Sequence, residues 1–145
     1  MYFCRRCLAV FSQSLYINPL LDLTMVNRVL QPQEIEVFYV IPALRRELAV
    51  CMKASGRSQK LIAKLLGVTE AAVSQYFSSK RAAAIKFDDR MKSVIREAAG
   101  RINDEISMFN EMQQLLKVSR QERVVCQAHA SLGCPKSCNA CFEGK

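Results

Sequence analysis

The stretch SQKLIAKLLGVTEAAVSQYF, residues 58–77, limits what this chain can fold into more than any other stretch. Ser58 and Thr69 each stand just before a short helical pattern, where a hydroxyl accepts a hydrogen bond from a free amide of the first turn. Gly67, between the two patterns, can take the left-handed backbone conformation that ends a helix. The stretch therefore predicts two helices of about eight residues around a turn of about three, a tight helix–turn–helix.

The apolar residues of this stretch are spaced to fill the wedge between two crossing helices. Ala63 is small where the helices would approach each other, and the other inward positions are Ile62, Leu66, Val68, Val73 and Tyr76. With these residues inward, the second helix exposes short or polar side chains, which suit a major groove. The exposed set is Thr69, Glu70, Ala71, Ser74, Gln75 and Ser78.

Residues 59–76 resemble the helix–turn–helix of the lambda-repressor-like (Cro/Xre-type) DNA-binding domains. The flanking segments 77–81 and 42–45 are similar to a group of archaeal predicted transcriptional regulators built on that domain. The similarity covers about residues 42–81, under a third of the chain. It implies a protein that binds double-stranded DNA with the second helix.

Roles follow for the polar residues of this segment. Gln75 is suited to a bidentate contact with adenine, Glu70 to cytosine and Ala71 to a thymine methyl group, with Ser74 adding a polar contact. The resemblance implies a phosphate contact for Gln59, and four cations are expected to meet the DNA backbone: Arg57, Lys60, Lys80 and Arg81. The alternative is a helical hairpin whose polar face is only solvated.

The charge of the chain is concentrated around the same segment. Between Arg45 and Arg101 lie thirteen of the 21 lysines and arginines but only five of the 13 aspartates and glutamates, so this part carries the whole net charge of +8. A localised positive field favours a polyanionic partner, most often nucleic acid.

The remaining pattern predicts an all-α fold, a compact helix–turn–helix bundle of four to five helices with a small C-terminal cysteine-cluster appendage. One helix is expected from about Pro42 to Ala54, and helical periodicity returns from Asp88 to about Lys117, with a break near Gly100 and Asn103. Ser119 and Glu122 fit a capping box that would start a last helix through Val124, Val125 and Cys126. The predicted divisions are an N-terminal segment 1–36, a DNA-binding domain 37–117 and a tail 118–145.

A homodimer is expected, because one such domain reads too short a DNA site. The apolar stripe after the helix–turn–helix could supply the dimer face or belong wholly to the core; it comprises Met91, Val94, Ile95, Ala98, Ile102, Ile106 and Phe109.

Four cysteines near the C-terminus, Cys126, Cys134, Cys138 and Cys141, are spaced to converge on one metal centre. A [4Fe–4S] cluster that senses redox state or iron is favoured over a structural zinc, because only Cys138 and Cys141 form the paired knuckle of zinc sites. Free thiols or a redox disulfide remain alternatives, as does His129 in place of one cysteine. Cys51 is expected to be a buried small hydrophobe.

Several function classes are not expected. No apolar stretch of about 18 residues predicts a membrane span, and residues 1–24 do not fit a signal peptide, so a cytoplasmic protein with reduced cysteines is indicated. Translation could start at Met25, or the first residues could form an apolar arm. One histidine and no Gly-rich phosphate loop argue against an enzyme, and no small-molecule substrate is identified. The alternative to a DNA-binding regulator, from another functional class, is an electron-transfer iron–sulfur protein.

Overall fold

A computed structural model describes residues 30–78, 82, 84–131 and 139. These residues form helices and connecting turns with no strand among them, which confirms the all-α class for this part of the chain. The predicted cysteine appendage lies almost wholly outside the described residues. The helices are α1 (Pro32–Ile35), α2 (Ile41–Ala54), α3 (Gln59–Leu66), α4 (Glu70–Phe77), α5 (Asp89–Arg101), α6 (Glu105–Gln121) and α7 (Val124–Ser131).

Helical backbone extends further towards the N-terminus than the sequence predicted. Helical backbone begins at Pro32, and a π-helical segment, Glu36–Val40, joins α1 to α2 without a break. The Ile41 amide donates to the carbonyl of Glu36, five residues back. Pro42 lacks an N–H and its ring crowds the preceding turn, and a widened π turn at this place accommodates such a residue. The predicted helix from about Pro42 to Ala54 is therefore confirmed as α2, Ile41–Ala54, whereas the helical backbone before it was not predicted.

Helix α2 lies at the centre of the bundle, in contact with α3, α4, α5 and α6. Its inward residues Leu44, Leu48 and Met52 are wholly buried. They share one hydrophobic core with Ile62 of α3 and Ile95 of α5. The position of the helix–turn–helix is therefore fixed by α2.

The predicted break between two later helices is confirmed, since α5 ends at Arg101 and α6 begins at Glu105. Asp104 caps α6, because its carboxylate accepts a 2.7 Å hydrogen bond from the Ser107 amide while its own amide donates to the Ser107 hydroxyl. The bonds from Ser107 lower the pKa of the Asp104 carboxyl. Across this corner the Arg101 guanidinium donates to both oxygens of Glu111, at 2.7 and 2.9 Å.

The capping box at Ser119 is a wrong prediction. Ser119 is wholly buried inside α6, and its hydroxyl donates to the Leu116 carbonyl at 2.8 Å. The break falls instead at Arg123, whose φ of +55° places it in the left-handed region. Helix α7 then begins at Val124, which confirms the last helix although not its cap.

Helix α7 packs against α1, the π segment and α6, so the two ends of the described chain meet. The Arg120 guanidinium donates to both oxygens of the nearly buried Glu36 carboxylate, at 2.5 and 2.8 Å. This carboxylate raises the pKa of Arg120. Nε2 of His129 lies 2.7 Å from the Leu30 carbonyl oxygen. The divisions predicted at 36/37 and 117/118 both fall inside helical segments of the structure.

Candidate nucleic-acid interface

The structure forms the helix–turn–helix that the sequence predicts. The Ser58 hydroxyl accepts a bond from the Leu61 amide at 3.3 Å, and the Thr69 hydroxyl accepts one from Ala72 at 3.1 Å. Gly67 has φ +62° and ψ 38°, the left-handed conformation that a side chain disfavours. Both N-caps and the glycine turn are therefore confirmed.

The wedge between α3 and α4 is filled as expected. Ile62, Leu66, Val73 and Tyr76 are buried, and Val68 is half-buried against the same core. This packing fixes how α4 is rotated about its own axis. The packing of the buried residues therefore decides which residues of α4 are exposed.

All six predicted base-reading residues lie on the exposed surface of α4 and its caps. The only described side-chain hydrogen bonds of this group are local: Thr69 caps the helix, and the Ser78 hydroxyl donates to the Gln75 carbonyl at 3.3 Å. The side chains of Glu70, Ser74 and Gln75 make no described hydrogen bond. The face is therefore formed of short or polar side chains and is supported from behind by a packed core.

Gln59 ties the start of α3 to the start of α4. Its Nε2 donates to the Glu70 carbonyl at 2.9 Å. An amide nitrogen carries two hydrogens, so the second remains available for a phosphate oxygen. The contact assigned to Gln59 by resemblance is compatible with this geometry and stays a prediction.

The predicted phosphate-binding cations differ in their surroundings. Arg57 is half-buried, and its Nη1 donates to the Ile102 carbonyl at 2.6 Å, which joins the start of α3 to the end of α5. Lys60 is exposed and bonds to no other described residue. Lys80 and Arg81 lie outside the described residues. Arg57 thus makes a structural hydrogen bond that no sequence pattern indicates.

This difference predicts separate effects for two substitutions. Arg57→Gln is expected to lower the free energy of unfolding by about 1 kcal/mol, because the Ile102 carbonyl loses its donor. Lys60→Gln is expected to leave the unfolding free energy unchanged. Urea denaturation followed by circular dichroism checks both, and equal stability of the two variants would show that the Arg57–Ile102 bond contributes nothing.

One cation near this surface was missed by sequence reasoning. The Lys53 ammonium lies 4.1 Å from the centre of the Phe77 ring, within the range of a cation–π contact. The contact holds a positive charge beside the C-terminal end of α4. It joins the last turns of two different helices, so local sequence spacing carries no signal of it.

The predicted metal ligands are mostly outside the described part of the chain. Cys126 is half-buried on α7, whereas Cys134, Cys138 and Cys141 lie outside the described residues. Among the described residues, no group of three or more His, Cys, Asp and Glu side chains is arranged to hold a metal ion. The Arg123 Nη1 donates to Asn139 Oδ1 at 3.1 Å, which brings residue 139 next to the start of α7.

Two other predicted roles can be compared with the structure. Cys51 is half-buried against the core, and this burial raises the pKa of its thiol. A thiol that stays protonated agrees with the expectation of a small hydrophobic residue. His129 lies one helical turn after Cys126, and its ring is engaged by the Leu30 carbonyl.

Comparison with protein-family models, with curated proteins and with solved structures finds no match to this chain. Within the described segments, no helix combines the length and the apolar character that crossing a membrane requires.

Proposed function

We propose that this protein is a sequence-specific DNA-binding transcriptional regulator that inserts α4 into the major groove of duplex DNA. The observation that carries the proposal is the exposed polar face of α4, held by a capped helix–turn–helix within the segment that bears the whole net positive charge. A major groove about 12 Å wide admits one such helix. Short side chains let the helix backbone approach the base edges closely.

The charges around α4 support the same docking. Lys60 follows Gln59, whose side chain bonds to the start of α4, and Lys53 lies over the Phe77 ring at the end of α4. Phosphates line both edges of the groove, so cations at both ends would fix the register of the helix. Lys80 and Arg81 follow α4 in the sequence and would add to this contact.

The proposed regulator acts as a homodimer that uses the start of α6. The apolar stripe divides at the α5–α6 corner: Met91, Ile95 and Ile102 are buried, whereas Ile106 and Phe109 are 75% and 64% exposed. Large exposed apolar side chains next to each other on a helix favour a protein contact. A second copy on this face would present two α4 helices to two half-sites about 34–36 Å apart.

Selection of binding sites from random duplex DNA tests the proposal, and Gln75→Ala tests its geometry. We expect the variant to bind the selected site about 10- to 100-fold more weakly than the wild type, the effect of one bidentate base contact. The slope of log affinity against log salt should not change, because no phosphate contact is lost. Gln127→Ala on α7 is the matched control. Failure of selection to enrich any sequence would overturn the proposal.

We further propose that Cys126, Cys134, Cys138 and Cys141 hold a metal centre, with a sensing [4Fe–4S] cluster preferred and a structural zinc as the alternative. The Arg123–Asn139 bond supports convergence, because Asn139 lies between two of these cysteines in the sequence. Helix α7 contacts α6, and α6 contacts α3, so a change in the tail has a packed route to the DNA-binding helices.

Anaerobic purification with iron, zinc and sulfide analysis separates the two metals, since a cluster is brown and zinc is colourless. A Cys138→Ser variant is expected to lose the metal and to change DNA affinity. Loss of the metal with unchanged DNA affinity would contradict sensing. An electron-transfer protein, the alternative from another class, would show the cluster without sequence-selective, salt-dependent DNA binding.

A further inference from the structure

Two adjacent apolar side chains of the π segment, Val37 and Phe38, lie on the surface and are here called the apolar pair. They are 58% and 62% exposed, whereas Ile35 and Val40 on either side of them are wholly buried. The hydrogen bonds of a π-helix run to the fifth residue, so its wider turn brings an additional residue to the surface. The apolar pair is therefore an outward face that the hydrophobic core does not include.

The chain enters α1 at a fixed point close to this face. Leu30, the first described residue, packs against the core, and Nε2 of His129 lies 2.7 Å from its carbonyl oxygen. The Gln31 amide then donates to the Glu34 carboxylate at 2.8 Å, which fixes the first turn. Phe38 lies eight residues after Leu30, roughly 12 Å along a helical backbone. The residues before Leu30 are thus tethered within a short distance of the apolar pair.

The sequence just before this point contains an apolar run. Segment 20–26 reads LLDLTMV, and five of its seven residues are apolar. Three residues, 27–29, connect it to Leu30, and the first of them is Asn27, a residue type that favours turns. Seven extended residues span roughly 23 Å, more than the distance to the apolar pair requires. A short connection also costs less closure entropy than one from the more distant apolar run 8–11.

We propose that segment 20–26 folds back along α1 and covers the apolar pair of its own chain. Alternate residues of an extended segment share one face, so Leu21 and Leu23 pack on the apolar pair while Asp22 faces water. The contact removes apolar surface of both partners from water, which is its driving force. This docking does not depend on the proposed DNA-binding function, and DNA binding reports on that function separately.

A single tryptophan tests whether the apolar pair is covered, because the natural chain contains none. Phe38→Trp in the full chain is expected to emit at shorter wavelength than the same variant unfolded in urea, and to resist quenching by acrylamide. Adding Leu21→Asp should shift the emission to longer wavelength and increase the quenching. Phe11→Asp, the same change of charge outside segment 20–26, is the matched control and should leave the emission unchanged. Emission that ignores Leu21→Asp would overturn the proposal, as would a blue shift that disappears on dilution, which would assign the covering segment to a second copy.

A double-mutant cycle tests the same contact without tryptophan. Phe38→Ala and Leu21→Ala are each expected to lower the urea midpoint, and together to lower it by less than the sum of the two losses, because they remove one shared contact. Leu21→Ala combined with Val50→Ala, an exposed position on α2, is the control pair and should be additive. Additive losses for Phe38→Ala and Leu21→Ala would contradict the docking of segment 20–26.

Discussion

Replacing Leu48 with alanine is expected to lower the free energy of unfolding by about 2–5 kcal/mol, because the wholly buried side chain leaves a cavity at the centre of the bundle. Leu48 lies on α2, which contacts α3, α4 and α5. A loss at this point therefore weakens the support of the helix–turn–helix and of the later helices together. Since small domains are stable by about 5–15 kcal/mol, the variant would lose a large fraction of its stability.

Urea denaturation followed by far-UV circular dichroism measures this effect, with the slope m expected to stay unchanged. Val50→Ala is the matched control, because Val50 lies on the same helix but is 41% exposed. Its expected cost is below about 1 kcal/mol, since part of the side chain is already in water. Equal losses for the two variants would mean that α2 is not the central helix.

The helix–turn–helix was predictable because its determinants are local. Ser58 and Thr69 cap helices through amides three residues on, and Gly67 supplies the backbone conformation of the turn. Once these three positions set the helix ends, the apolar residues between them determine which face of α4 is buried. The exposed face follows by elimination.

The sequence failed where packing between distant residues determines the local structure. The helical backbone before Pro42 was not predicted, because it packs against α7, far away in the sequence. Ser119 fits an N-cap, but α6 continues because the core buries this serine. The Glu36–Arg120 pair joins residues 84 apart in the sequence, and no local pattern indicates it.

The apolar stripe from Met91 to Phe109 shows what helical periodicity can predict and what it cannot. A helical repeat places Ile106 and Phe109 in line with Met91 and Ile95, as though one helix continued. The cap at Asp104 instead starts a new helix, and Ile106 and Phe109 then lie outside the core. Helical periodicity identified the apolar residues, but the break between α5 and α6 determines which of them are exposed.

In the proposed homodimer, Ile106→Asp is expected to weaken self-association by about a hundredfold, since the change removes a large apolar contact and places like charges across the proposed two-fold interface. The change should not disturb folding, because Ile106 lies in the first turn of α6, where an acidic side chain interacts favourably with the helix dipole. On DNA with two half-sites the variant should lose the affinity gained from binding both, while single half-site affinity stays the same.

Analytical ultracentrifugation measures the association, and titration of one- and two-half-site duplexes measures its consequence for DNA binding. Phe38→Asp is the control, since Phe38 is a comparably exposed apolar residue, 62% accessible, on the π segment. Dissociation by Phe38→Asp but not by Ile106→Asp would place the dimer face at the π segment instead. Because the π segment packs against α7, a change in α7 would then reach the dimer face directly.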